Sequence, residues 1–207
     1  MMTTAPNKNQ QTGVPIEHYQ SLFAKADPEM MSKNSTIPYD GEKFAVPFLN
    51  RTVYIYWPSM EVVFADDNSK AAAYTKILLS RLVLSGAIVP SLGSMKAYTE
   101  MPWGNVYAQQ FRGRCILRLA FSYGNNIDGF RKACESIGGK SCKTTADASY
   151  DIEFVKGLTV RLLLWEGDEE FSPQAQVLFS DNFPSAFTAE DIAVVGDVLI
   201  NAMKGRW

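Results

Sequence analysis

Residues 150–180, YDIEFVKGLTVRLLLWEGDEEFSPQAQVLFS, decide the fold class of this chain. They hold three runs rich in β-branched and aromatic residues, the composition typical of β-strands. A Lys156-Gly157 turn separates the first two runs, and an acidic segment with Gly167 and Pro173 at its bends separates the second from the third. We therefore predict three consecutive strands in this part of the chain.

A second β-rich region lies in residues 43–66. The runs KFAVPFL, RTVYIYW and MEVVFAD are again short, β-branched and aromatic, and brief turns join them. They predict a three-strand antiparallel meander. Pro47 has no N–H to donate, so its strand is expected at an edge of the sheet or at a bulge.

Five further segments carry apolar residues at helical spacing. Pro15 suits the first turn of one helix, Gly86 suits the C-terminal cap of another, and Thr188 with Asp191 resembles a capping box. No strand–glycine loop–helix unit marks a nucleotide-binding crossover. The order of elements predicts an α+β fold: a disordered tail over residues 1–14, then a single domain over residues 15–207. In that domain about five helices pack a mainly antiparallel sheet made of two three-strand regions.

The composition is that of an ordinary globular chain. Of its 207 residues, 46% are hydrophobic and 20% are charged, and a net charge of −2 gives no field that favours nucleic acid. There is no apolar signal core and no apolar run long enough to cross a membrane. Cys115, Cys134 and Cys142 lack Cys-x-x-Cys spacing, so no iron–sulfur cluster is expected from this chain alone. These features predict a cytoplasmic protein with free thiols.

The acidic segment holds four carboxylates, Glu166, Asp168, Glu169 and Glu170. Neighbouring carboxylates repel one another unless water or a cation screens them, so a divalent metal or acid/base site is one interpretation. Three of the four are consecutive, which prevents more than two from converging without other ligands. A solvated connection between two strands and a surface that recognises a protein partner are the alternatives.

Three tryptophans, Trp57, Trp103 and Trp165, lie at strand ends or in loops. Tryptophans in such positions either cover the core, with the indole N–H bonded to an oxygen, or form the wall of a cleft for a flat cofactor.

His18 is the only histidine, and a lone histidine suffices as the axial ligand of a cobalt or iron tetrapyrrole. A place on the polar side of the first helix is the alternative. Arg114 and Arg118 are four residues apart on a predicted helix, so they can bind one anion together or pair with nearby acids.

The stretch LLLWEGDEEFSPQAQVLFSDNFPSAFTAEDIAVVGDVLI, with YDGEKFAVPFLNRTVYIYWP, ILLSRLVLSGA and FRKACESIGG in the same order, resembles the uncharacterised prokaryotic domain-of-unknown-function family 3786. The similarity spans most of residues 15–204. The resemblance implies an association with anaerobic bacteria and archaea. Some longer members are fused to an iron–sulfur domain similar to that of corrinoid iron–sulfur proteins, a domain that this sequence does not contain. No catalytic residues carry over from the family.

The leading hypothesis is a cytoplasmic binding or accessory domain for a large planar cofactor of anaerobic metabolism, such as a corrinoid or haem; this favours binding and leaves catalysis open. Its predicted contacts are the three tryptophans, His18, Arg114 and Arg118. A second hypothesis is an enzyme that uses the carboxylates of Glu166–Glu170, with or without a divalent cation. A third is a protein-interaction module that presents the acidic segment and the two arginines as complementary patches.

Overall fold

A computed structural model describes residues 10–207, with side chains from residue 16 onward. Both predicted three-strand regions are present, and every strand pair is antiparallel. The α+β fold class is therefore confirmed. The strands are β1 Lys43–Phe48, β2 Arg51–Tyr56, β3 Glu61–Phe64, β4 Met95–Ala97, β5 Lys140–Ser141, β6 Ala148–Val155, β7 Leu158–Trp165 and β8 Gln174–Ser180.

The two regions form one sheet, in the order β3-β2-β1-β6-β7-β8-β4, with β5 paired to β6 beside this path. The two halves meet only at the pair Phe48–Val155 between β1 and β6, supported by a hydrogen bond of 3.2 Å from Leu49 N–H to the carbonyl of Phe154. β1 is thus an interior strand, whereas an edge or a bulge was predicted for Pro47.

Pro47 nevertheless explains why the junction is so short. A two-residue turn joins β1 to β2, so Phe48 and Arg51 form the closing hydrogen-bonded pair and Pro47, opposite Thr52, directs its nitrogen away from β2. On that side lies β6, and proline has no N–H to offer it. The sheet therefore divides next to Pro47 into two half-sheets, β3-β2-β1 and β6-β7-β8-β4.

All five predicted helical segments are present, and two short helices, α2 and α7, were not predicted. The first helix begins at Gln10 and not in the turn of Pro15; most of the expected tail, residues 1–9, lies outside the described residues. In residues 10–207, no helix is both long enough and apolar enough to cross a bilayer. The helices are α1 Gln10–Lys25, α2 Pro28–Ser35, α3 Ala73–Ser85, α4 Gly104–Phe111, α5 Arg118–Tyr123, α6 Ile127–Ser136, α7 Phe183–Ala186 and α8 Ala189–Ala202, with a π-helical turn Arg112–Leu117 joining α4 to α5.

Strand alternation gives the sheet one face that packs against helices. Side chains such as Phe44, Ile152 and Phe179 are fully buried on this face. Rings from three helices reach it, with centroids 5.9 Å apart in each of the pairs Phe23–Phe44, Phe111–Phe179 and Phe130–Tyr150. The alternate residues of β1, β2, β6 and β7 point to the opposite side, and the candidate site lies there.

Candidate functional site

Two adjoining clefts open where β1 and β6 part, and each encloses about 810 Å³. The first, which we call the apolar cleft, has walls that include Ile37, Ala45, Ile88, Val89 and Val155. The second, the charged cleft, has walls that include Arg51, Lys140, Asp151 and Glu153. Pro47, Thr52 and Lys156 line both clefts, so the two adjoin at the junction of the half-sheets.

The apolar cleft owes its depth to small side chains on the solvent side of β1 and to a fixed outer wall. Ala45 and Pro47 form part of its floor. Its wall is the loop after α3, which Asn182 holds through hydrogen bonds from Nδ2 to the carbonyls of Val89 (2.7 Å) and Gly157 (2.9 Å). Asn182 is buried, so both bonds are shielded from water and the loop is tied directly to the β6–β7 turn.

A second anchor holds the same loop further along. The carboxylate of Asp181 accepts hydrogen bonds from the hydroxyls of Ser91 (2.7 Å) and Ser94 (2.8 Å) and from the backbone N–H of Leu92 (3.1 Å). These bonds, the one from Ser91 foremost, lower the pKa of Asp181 to about 2. The wall of the apolar cleft is therefore held at both ends.

Of the six charged residues that line the charged cleft, three form ion pairs within the protein. Arg51 binds Asp66 and Asp67, and hydrogen bonding to Asp66 raises the pKa of Arg51 and lowers that of Asp66. Asp151 binds Arg161 through two hydrogen bonds of 2.6 and 2.8 Å, which raise the pKa of Arg161.

The other three charged residues that line this cleft, Glu153, Lys140 and Lys156, form no ion pair with the described side chains. Glu153 accepts a hydrogen bond of 3.0 Å from the N–H of Gly157. Two lysines are thus the cations that stay available to a ligand.

The three tryptophans do not come together. Trp57 is half-buried and donates its indole N–H to the carbonyl of Phe23 at 3.2 Å, as expected for a cover on the core. Trp103 is 79% exposed and borders a groove of about 360 Å³ together with Arg81 and Asp191, whereas Trp57 and Trp165 do not line it. Trp165 lies at the end of β7 opposite Gln174, on the face away from the helices. None of the three lines the junction clefts.

The predicted axial ligand and anion-binding arginines lie elsewhere. His18 is exposed on α1, where its ring packs edge to face against that of Tyr19, with the two ring centroids 5.4 Å apart. Arg114 and Arg118 both bind the carboxylate of Asp197, and the distance from Arg114 Nη2 to Asp197 Oδ2 is 2.6 Å. Arg118 also binds the side chain of Asn201. The anion that these arginines share is thus a side chain of α8.

The acidic segment forms a bend between β7 and β8. The carboxylate of Asp168 accepts hydrogen bonds from the backbone N–H groups of Glu170 (2.9 Å) and Phe171 (2.7 Å), which closes the turn on itself. Glu166, Glu169 and Glu170 are exposed. In residues with described side chains, no three His, Cys, Asp or Glu groups are placed to hold a metal ion.

An iron or cobalt tetrapyrrole bound through its metal needs a side chain such as His, Cys, Met or Tyr beside it. Neither junction cleft is lined by any of these four residue types. The residues of the clefts therefore do not fit a tetrapyrrole that is ligated by this part of the chain.

Sequence reasoning did not single out the residues that shape the clefts. The sequence pattern predicts only a hairpin turn at Lys156 and gives no signal at Asn182. The one available signal was the pair of small residues Ala45 and Pro47 on alternate positions of a strand whose other positions are Phe44, Val46 and Phe48.

No curated protein and no solved structure matches this chain. The model of the family described as Domain of unknown function (DUF3786) matches residues 27–202, which include β1–β8 and helices α2–α8. The resemblance predicted from the ordered sequence segments is thereby confirmed, and the chain belongs to this family.

Proposed function

We propose that this domain is a small-molecule binding module whose site is the pair of clefts at the junction of the half-sheets. The observation that carries the proposal is that an apolar and a charged cleft lie side by side and share Pro47, Thr52 and Lys156 as lining residues. Ligand sites are typically concave spaces of roughly 300–1,000 Å³ with mainly apolar walls and a few polar groups. Each cleft has a volume within that range.

The anchoring of the cleft wall supports the same proposal. Asn182 and Asp181 fix the loop that carries Val89 and Ser91 before any ligand arrives. A wall that is already ordered costs less conformational entropy when a ligand binds. Binding is favoured over catalysis because Asp66 and Asp151, two of the carboxylates in the charged cleft, are each paired with an arginine.

A neutral apolar dye tests the proposal directly. We expect Nile red to bind at one site per chain with increased fluorescence. Ala45→Phe fills the apolar cleft from its floor and keeps a residue that strands accept, so dye affinity should fall at least about fivefold. Ala24→Phe places the same ring on an exposed position of α1 and should leave the affinity unchanged.

Equal dye binding by the wild type and Ala45→Phe would contradict the proposal, as would the absence of dye binding. Titration with hydroxocobalamin and with haemin extends the test to planar cofactors. A visible-band shift that Ala45→Phe abolishes would assign such a cofactor to the apolar cleft. A shift that Ala45→Phe leaves intact would assign the cofactor to another site, and the dye measurement alone would then decide on the apolar cleft.

A further inference from the structure

The charge of the apolar cleft points to a chemical class of ligand, an inference that rests on the function proposed above. We propose that the cleft takes an amphipathic monoanion, with its acidic head group at Lys156 and its apolar body along Ala45, Ile88 and Val155. A medium-chain carboxylate is the simplest molecule of this class.

The first support is that, of the residues whose side chains are described, Lys156 is the single ionisable one on the walls of the apolar cleft. The other polar side chains there are the hydroxyls of Thr36, Thr52 and Ser91. Lys156 is exposed, so it attracts an opposite charge as a surface cation does, and the apolar walls beside it add the burial of an apolar ligand body. A ligand with a negative head group and an apolar body therefore complements this cleft better than a neutral or cationic one.

The second support is that Lys156 has no partner within the described residues. The nearest acidic residue along the strand is Glu153, and no ion pair within 4.0 Å joins the two. The Glu153 carboxylate instead accepts the hydrogen bond from Gly157 and lines the charged cleft. The ammonium of Lys156 is thus free to meet a head group at the mouth between the two clefts.

Glu153 also limits the charge of that head group. A ligand with a second negative charge would extend it towards the charged cleft, where Glu153 would repel it. Lys140, the other free cation, lines the charged cleft only, on β5 beside Asp151. One cation shared by both clefts and unpaired among the described residues, with the carboxylate of Glu153 in the charged cleft, suits a monoanion.

Three compounds of equal chain length separate the charge of the head group from the apolar body: decanoate, decanol and decylamine. Each competes with Nile red for the wild type, Lys156→Met and Lys140→Met. We expect decanoate to bind the wild type about tenfold more tightly than decanol, and decylamine to bind most weakly.

In Lys156→Met the affinity for decanoate should fall about tenfold while that for decanol changes less than about twofold, because methionine keeps the apolar stem of lysine. Lys140→Met is the matched control, since the same change is made at a lysine outside the apolar cleft; both affinities should change less than about twofold.

Three results would overturn the assignment: equal binding of decanol and decanoate to the wild type, equal losses for both compounds in Lys156→Met, or decyl phosphate binding more than about tenfold tighter than decanoate. In each of these cases a C10 compound still displaces the dye, so the cleft remains a binding site and only the ligand class is wrong. If the dye does not bind the wild type, or binds Ala45→Phe equally, the site itself is wrong and this inference fails with it.

Discussion

Gly138 and Asn50 lie in direct contact, and a Cβ built on Gly138 would fall 2.7 Å from the Cβ of Asn50. Gly138 follows α6, whereas Asn50 belongs to the turn between β1 and β2. Both residues line the charged cleft, so this contact sets one of its walls. Gly138 also has a φ of +83°, a backbone conformation that residues with a Cβ rarely adopt.

We expect Gly138→Ala to destabilise the protein by about 2–4 kcal/mol, from the backbone conformation and the displaced turn together. Gly41→Ala is the control, because Gly41 has a φ of +100° and nothing within 4 Å of the position of a Cβ. That control should cost only about 1–2 kcal/mol, the backbone part alone. Urea unfolding measures both values, and equal losses would show that the contact with Asn50 contributes nothing.

Asp197 on α8 binds Arg114 of the π-helical turn and Arg118 at the start of α5, and so connects α8 to these two elements. Its side chain is 20% exposed, and that of Arg118 is 27% exposed. We expect Asp197→Asn to lower the free energy of unfolding by about 1–2 kcal/mol, because two charged hydrogen bonds are weakened in a partly shielded place. In the control, Glu61→Gln removes the charge from the exposed pair Glu61–Lys70 and should cost less than about 0.5 kcal/mol. Urea unfolding at low ionic strength distinguishes the two, and a loss no larger in Asp197→Asn than in Glu61→Gln would contradict the expectation.

The parts of the fold that sequence reasoning predicted depend on neighbouring residues. The alternation in β7 is visible in residues 158–165, because each strand residue is buried or exposed according to its own position. The capping box of α8 is likewise contained in four residues: the Thr188 hydroxyl accepts from the N–H of Asp191, and the Asp191 carboxylate accepts from the N–H of Thr188. Such contacts need no knowledge of the rest of the chain.

The parts that it missed depend on residues far apart in the chain. The clefts lie where the pairing of β1 with β6 ends beside Pro47; β6 lies about a hundred residues later, and no local pattern names that strand. The spacing of Arg114 and Arg118 predicts that they bind one anion together or pair with nearby acids; both bind Asp197, which lies 83 residues beyond Arg114. The three tryptophans were grouped by residue type, whereas the fold places them on different elements.

The three thiols differ in their access to solvent, and this predicts a simple labelling result. Cys115 and Cys134 are fully buried, and burial raises the pKa of Cys115 to about 12 and also raises that of Cys134. Cys142 is half-exposed. Ellman's reagent should therefore react with one thiol per native chain and with all three after denaturation. Cys142→Ser should abolish the native reaction, and a rapidly reacting thiol that survives in this variant would refute the assignment.

The hydrogen bonds to Asp181 predict how stability depends on pH. The pKa of its carboxyl is about 2 in the folded protein, against an ordinary value of 3.8. The folded state therefore binds a proton at this group less readily than the unfolded state does. The resulting stabilisation is complete above about pH 5 and is lost as the pH falls from about 4 through about 2.

Asp181→Asn removes this contribution, so its deficit in unfolding free energy relative to the wild type should be constant at neutral pH and should shrink between about pH 4 and pH 2. Urea unfolding at several pH values measures the difference, and the titration of the carboxyl carbon by NMR gives the pKa itself. Other carboxylates affect both proteins equally and cancel. The same variant frees Ser91 at the wall of the apolar cleft, so Nile red should also bind it more weakly at neutral pH. A deficit that stays constant down to pH 2 would show that the serine hydroxyls do not hold the charged form of Asp181.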